Sequence, residues 1–181
     1  MSSKMSEILI IYASRYGSTA AVASLVAQEL YKGGARAVLK DVRENPRMDG
    51  YGVVVLCSGI YAHKFLPEME RFIDERRGEL AEARLAVFGV AMRTETVHKN
   101  GRSFGGELII DRYGLSPLVK GMLHGRMDFS VLTEKDREGL ERFYMSIGLS
   151  EEEKAERRML RDEISREECA AFAGRVLRLH R

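Results

Sequence analysis

The feature that most constrains this chain is a strand, a loop and a helix start joined without spacers at its beginning. Ile8-Leu9-Ile10-Ile11-Tyr12-Ala13 is an apolar, isoleucine-rich run. It stops at the polar loop Ser14-Arg15-Tyr16-Gly17-Ser18-Thr19, and Ala20-Ala21-Val22-Ala23-Ser24-Leu25-Val26 then follows with helical periodicity. An uninterrupted apolar run suits a strand covered on both faces, as in parallel sheets. The loop holds three hydroxyls, one glycine and no carboxylate. Backbone N–H groups at a helix start, with the partial positive charge that gathers there, suit an anion. Ser18 alone would serve as an N-cap, so the further hydroxyls of Ser14 and Thr19 point to a phosphate rather than to a turn that is merely capped.

The pattern repeats along the chain. Leu25, Val26 and Leu30 continue the first helix, and Gly33-Gly34 stops it because glycine accepts the left-handed conformation past a helix end. A short, less apolar strand is expected over 36–42, at an edge. Gly52-Val53-Val54-Val55-Leu56-Cys57 and Leu85-Ala86-Val87-Phe88-Gly89-Val90 read as strands buried on both faces. Pro67 opens a helix carrying Met69, Phe72 and Ile73. The polar stretch 91–106 contains the turn dipeptide Asn100-Gly101. A short helix over 107–113 and a weaker strand over 118–123 follow. Thr133 and Asp136 resemble a helix start, with Leu140, Phe143, Tyr144 and Ile147 on one face. Ser150 with Glu153, and Ser165 with Glu168, have capping-box spacing. The second box opens a helix whose core face is Cys169, Phe172, Ala173, Val176 and Leu177.

Alternating strands and helices predict an α/β fold, a doubly wound five-stranded parallel sheet with helices on both faces. The 181 residues suit a single domain over 1–181 with a helical C-terminal extension from about 133. Ligands of such folds bind beyond the carboxyl ends of the strands, where strand order reverses. The loops 14–19, 58–64 and 91–96 are therefore expected to converge.

Cys57 and Cys169 stand far apart in sequence, which is neither a disulfide framework nor a zinc pattern, and a cytoplasmic location is expected. Residues 1–7 are too short and polar for a leader, and no apolar run reaches the roughly 20 residues of a membrane span. A net charge of +2 does not suit a nucleic-acid polycation. Arg15, His63, Lys64, Arg93, His98, Lys99, Arg102, His124 and Arg126 fall in or beside predicted loops, either as a solvated rim or as a surface for an acidic partner or a carboxylated substrate. The first loop lacks the Gly-Lys-Ser/Thr of a triphosphate site and the Gly-x-Gly-x-x-Gly of a dinucleotide site. A mononucleotide phosphate remains.

Ile-Ile-Tyr-Ala-Ser-Arg-Tyr-Gly-Ser-Thr after a first strand resembles the FMN-phosphate loop of the flavodoxin family, Thr/Ser-x-Thr-Gly-x-Thr, at Ser14, Gly17 and Thr19; Tyr16 stands where the family has a hydroxyl residue. Cys57-Ser58-Gly59-Ile60-Tyr61-Ala62-His63-Lys64-Phe65 resembles the second flavin loop. The likeness is greatest to the branch that includes menaquinone-dependent protoporphyrinogen oxidase, and it extends through Met122-Leu123-His124-Gly125-Arg126. The resemblance implies FMN as cofactor, with Ser14, Arg15, Tyr16, Gly17, Ser18 and Thr19 at its phosphate. Ser58, Gly59, Ile60, Tyr61 and Ala62 would line one side of the isoalloxazine, and Ala91, Met92, Arg93 and Thr94 its pyrimidine side. Tyr61 is the candidate for stacking; its alternative is a core tyrosine at a strand end. Cys57 reads as a buried thiol beside the flavin, and His63 and His124 as solvated or as proton carriers.

Two functions fit. In one, the protein is an electron carrier between partners, with a slightly basic balance (pI about 8.5) that should make its potential less negative than an acidic relative's. In the other, it is a flavin-dependent dehydrogenase whose basic rim meets carboxylates and whose flavin is reoxidised by a quinone. Peripheral membrane contact fits the second, and oligomeric state is not encoded legibly. A phosphatase with Cys57 as nucleophile would need an arginine six positions on, where His63 stands.

Overall fold

A computed structural model describes residues 7–181. The reading of residues 1–7 as no leader therefore lies, Glu7 apart, outside the described residues. The central sheet holds β1 (Ile8–Ala13), β2 (Ala37–Asp41), β3 (Val53–Tyr61), β5 (Leu85–Ala91) and β8 (Val119–His124) in the order β2-β1-β3-β5-β8, all parallel. Ile8 pairs with Ala37 on one side and Val53 on the other, so β2 lies at an edge as its weaker apolar pattern predicts. The chain goes out from β1 to β2 and returns past it to β3. That reversal leaves a crevice beyond the carboxyl ends of β1 and β3.

Continuous apolar strands are needed because both faces are covered. Successive side chains point to opposite faces. Ile8 and Ile10 therefore pack with α1 (Ser18–Lys32) and α7 (Arg166–His180), while Leu9, Ile11 and Ala13 face α2 (Pro67–Glu75), α3 (Arg77–Glu82) and α4 (Leu108–Asp111). Phe88 of β5 meets Phe172 of α7 edge to face, with centroids 4.9 Å apart. Such a pair adds about 0.5–1.5 kcal/mol beyond burial.

Five local features differ from the sequence reading. Residues 91–106 are more than a turn: β6 (Thr96–Lys99) and β7 (Arg102–Gly105) form a hairpin about Asn100-Gly101, both at positive φ. β3 runs through Ser58–Tyr61 and turns at Ala62-His63 to pair with β4 (Lys64–Phe65). In α5 (Glu134–Ser146), Tyr144 is buried in a small cluster with Phe129 and Leu132, but Phe143 and Ile147 are each 46% exposed. The capping box at Ser150 is complete and opens α6 (Glu151–Arg158). The box at Ser165 is half made: Ser165 Oγ accepts from Glu168 N, while the Glu168 carboxylate turns to His124. Between α6 and α7, β10 (Arg161–Asp162) pairs antiparallel with β9 (Arg126–Met127).

Candidate functional site

The first loop leaves β1 and ends at Gly17, the N-cap of α1, at φ +87°. A side chain would find open space there, but the left-handed backbone favours glycine. Ser14 Oγ accepts from Gly17 N at 3.1 Å and from Ala20 N at 3.3 Å, which folds the loop back onto the helix start. Among the described residues no backbone or side-chain acceptor takes the N–H groups of Ser18 and Thr19. The first turn of α1 carries no acid. A helix of 15 residues thus presents free donors and an uncompensated positive end at the switch point.

A cleft of roughly 300 Å³ opens over this helix start, a size at the lower end for small-molecule sites. Ser14, Arg15, Tyr16, Ser18 and Thr19 form its floor, Gly59, Ile60 and Tyr61 one wall, and Ala91 and Met92 another. The three predicted loops do converge. Gly17, Ser58, Ala62, Arg93 and Thr94 do not line the cleft. Gly17 contributes backbone geometry. Ser58 is fully buried, its Oγ donating to Gly59 O at 2.8 Å and accepting from Leu66 N at 3.0 Å. Ala62 occupies the turn beyond β3 at φ +50°, and Arg93 is exposed.

The remaining wall comes from a segment that local pattern did not connect with the site. Gly125, Arg126, Met127, Asp128, Val131, Leu132, Asp136 and Leu140 line it. Gly125 is there because nothing larger fits: a Cβ would lie 2.7 Å from both Ser18 Oγ and Val90 Cγ1. Arg126 N donates to Ser18 Oγ at 2.8 Å, fastening the end of β8 to the helix start. Asp136, on α5, is the carboxylate that the loop itself lacks. Its side chain accepts from the Tyr61 hydroxyl at 2.7 Å and from the Tyr16 hydroxyl, and pairs with Arg15 at 3.2 Å. The Arg15 guanidinium in turn lies 4.6 Å from the centroid of the Tyr61 ring.

Burial alone would raise the Asp136 carboxyl. The two phenols and the Arg15 guanidinium outweigh it and hold the group below its ordinary value. The same bond pushes the Tyr61 phenol up, since ionising it would set two anions side by side. Cys57 is fully buried, its thiol facing Ile11 O at 3.6 Å, and burial pushes its pKa well up. It is therefore a core group and no nucleophile. His124 is held by Glu168, and His63 stands exposed at the β3–β4 turn with its ring 6.0 Å from that of Phe104 on the β6–β7 hairpin. Among the described residues no group of three or more His, Cys, Asp or Glu could hold a metal ion.

These residues suit a phosphate ester with a flat, largely apolar body. Free N–H donors and hydroxyls lie at the floor, and Ile60, Tyr61 and Met92 stand above them. No strand-end carboxylate from β1 or β3 faces the phosphate position.

Comparison with known proteins agrees with this architecture. The sequence matches the family described as "Flavodoxin domain" over residues 9–154. No match is found among curated protein sequences. Oxidised flavodoxin 1 of Bacillus cereus is similar in structure at 17% identity, with a TM-score of 0.50, covering 80% of this chain and 100% of that one. Flavodoxin 2 of Bacillus cereus has 23% identity and a TM-score of 0.47 over 77% and 96% of the two chains. A flavodoxin from the domain Archaea has 17% identity and a TM-score of 0.47 over 78% and 95%.

Proposed function

This chain belongs to the flavodoxin-domain family, and from that premise we propose that it binds FMN without a covalent bond and transfers electrons between partners. One observation carries the reading: free donors at the start of α1 face a cleft walled on two sides by the ends of β3 and β5. FMN, when bound, supplies reversible electron transfer at an organic ring. The chain's part is binding, orientation and exclusion of water. Ser14, Ser18 and Thr19 take the phosphate through backbone and hydroxyl groups, and Gly17 sets the turn that presents them. Gly59, Ile60 and Tyr61 face the ring from one side, and Ala91 and Met92 from the other.

The charge on the segments that follow β3, β5 and β8 bears on the partner. Among the described residues Lys64, Arg93, Lys99, Arg102 and Arg126 are exposed and make no ion pair. Lys99 and Arg102 stand directly opposite one another across the β6–β7 hairpin, a like-charge arrangement that costs stability and serves better to attract anions. A partner protein with an acidic face, and a potential less negative than that of an acidic flavodoxin, follow from this reading. So does a cytoplasmic location; no described helix is long and apolar enough to cross a membrane.

A second reading is an FMN-dependent dehydrogenase resembling menaquinone-dependent protoporphyrinogen oxidase. The apolar wall of Met127, Val131, Leu132 and Leu140 favours it, since it narrows the approach in a way that suits a small substrate, and the basic loops suit carboxylates. Anaerobic turnover separates the two. Oxidation of protoporphyrinogen that depends on an added quinone identifies the dehydrogenase. Fast reoxidation of the reduced protein by a small acidic iron–sulfur protein, with no porphyrinogen turnover, identifies the carrier.

A further inference from the structure

The side chain that gathers most of the cleft together is Asp136, on neither of the loops that resemble flavin loops. It is 5% exposed and lies at the start of α5, where Thr133 Oγ1 accepts from Asp136 N at 3.2 Å. Capping α5 uses only its backbone. Its carboxylate is turned outward from the helix to three donors from two other elements: Arg15 and Tyr16 of the first loop, and Tyr61 of β3. Tyr16 is bound twice, because its hydroxyl also accepts from Thr133 N at 3.2 Å. Its ring packs against the small cluster of Phe129, Leu132 and Tyr144.

We propose that Asp136 is a positioning residue of the cleft. Acting through Arg15, Tyr16 and Tyr61, it latches residues 126–140 over the phosphate loop and makes release of bound FMN slow. The proposal rests on the FMN reading for the release step and on geometry alone for the latch. The segment's other ties to the site are few: Arg126 N on Ser18 Oγ, Thr133 N on the Tyr16 hydroxyl, and the packing of Tyr16 against the cluster of Phe129, Leu132 and Tyr144. A buried carboxylate that loses its charge leaves the Arg15 guanidinium without an anion and can no longer satisfy both phenols as well. The segment should then open by local unfolding well before the central sheet does.

Two measurements on the full chain test this. Hydrogen exchange of the cofactor-free protein reads the latch, and stopped-flow flavin fluorescence reads FMN release from the loaded protein. Asp136→Asn should speed exchange within 126–140, and FMN release, each by about tenfold or more, with exchange in β3, β5 and α7 unchanged. Asp136→Glu should recover most of both. Tyr16→Phe, a milder variant that keeps the ring, should move both in the same direction by less. Glu138→Gln, on the exposed face of α5, should move neither. Unchanged exchange in 126–140 for Asp136→Asn and Tyr16→Phe overturns the latch. Faster exchange with unchanged FMN release overturns the positioning role. A wild-type protein that takes up no FMN overturns the flavin reading and the release step with it, and exchange then decides the latch alone.

Discussion

The Glu168 carboxylate accepts from both the backbone N–H of His124, at 2.9 Å, and its ring Nδ1, at 2.7 Å. This one contact joins the start of α7 to the carboxyl end of β8. It also explains why the capping box at Ser165 stays half made: the side chain that would close it has a better partner. His124 directly precedes Gly125 and Arg126, which abut the phosphate loop. Glu168→Ala should therefore cost about 1–2 kcal/mol in urea unfolding, with Glu168→Gln costing less because its amide oxygen still accepts. Because β8 ends against Ser18, FMN affinity should fall with Glu168→Ala as well.

Asp136 predicts the acid response. Its folded pKa lies below the unfolded value, so it stabilises the fold fully above the unfolded pKa of about 3.9, and that stabilisation is lost as pH falls through the lower folded value. Asp136→Asn should be less stable than wild type by about 1–3 kcal/mol at neutral pH. The gap should stay constant down to about pH 5 and close below about pH 4. Denaturant unfolding of both proteins across this range checks it; a gap that widened toward acid would contradict the sign.

Gly125 is the steric keystone between β8 and the helix start. Gly125→Val would place carbon 2.7 Å from Ser18 Oγ and Val90 Cγ1, so both side chains would have to shift, and Ser18 Oγ would lose its bond from Arg126 N. We expect a stability loss of about 1–3 kcal/mol and FMN affinity reduced by far more than that loss alone would suggest, read by thermal melting beside flavin titration. Gly78→Ala, where a Cβ meets nothing within 4 Å and the backbone is not left-handed, is the control that should leave FMN affinity unchanged.

Both thiols should be silent in the native protein. Cys57 and Cys169 are buried and unpaired; burial pushes Cys169 up to about 11 and Cys57 well above its ordinary value. A chromogenic disulfide reagent at pH 8 should react with neither until denaturant is added, and then with both. Fast reaction of Cys57 in the folded protein would contradict its place in the core.

The sheet was legible because burial on both faces demands unbroken apolar strands, and Ile8–Ala13, Val53–Cys57 and Leu85–Val90 obey that demand over every residue. The first loop was legible because anion binding at a helix start uses adjacent residues: a glycine, hydroxyls and no acid. The fourth wall was not. Asp136 reads locally as part of a helix cap, and it is one, through its backbone. Its carboxylate finds Tyr61 across 75 positions of sequence, and no spacing rule carries that distance. The β6–β7 hairpin was missed for a different reason. Its exposed residues have no face to bury, so they lack the alternation by which a strand announces itself, and only the Asn100-Gly101 turn remained visible.

The most direct test is equilibrium binding of FMN and of riboflavin, followed by quenching of flavin fluorescence and by the visible spectrum after gel filtration. One FMN should stay with the protein, and FMN should bind at least about tenfold more tightly than riboflavin, since only FMN carries the charge that the free donors of Ser18 and Thr19 recognise. Equal affinity for the two would contradict the phosphate role of the loop. A colourless protein that ignores FMN would contradict the account as a whole.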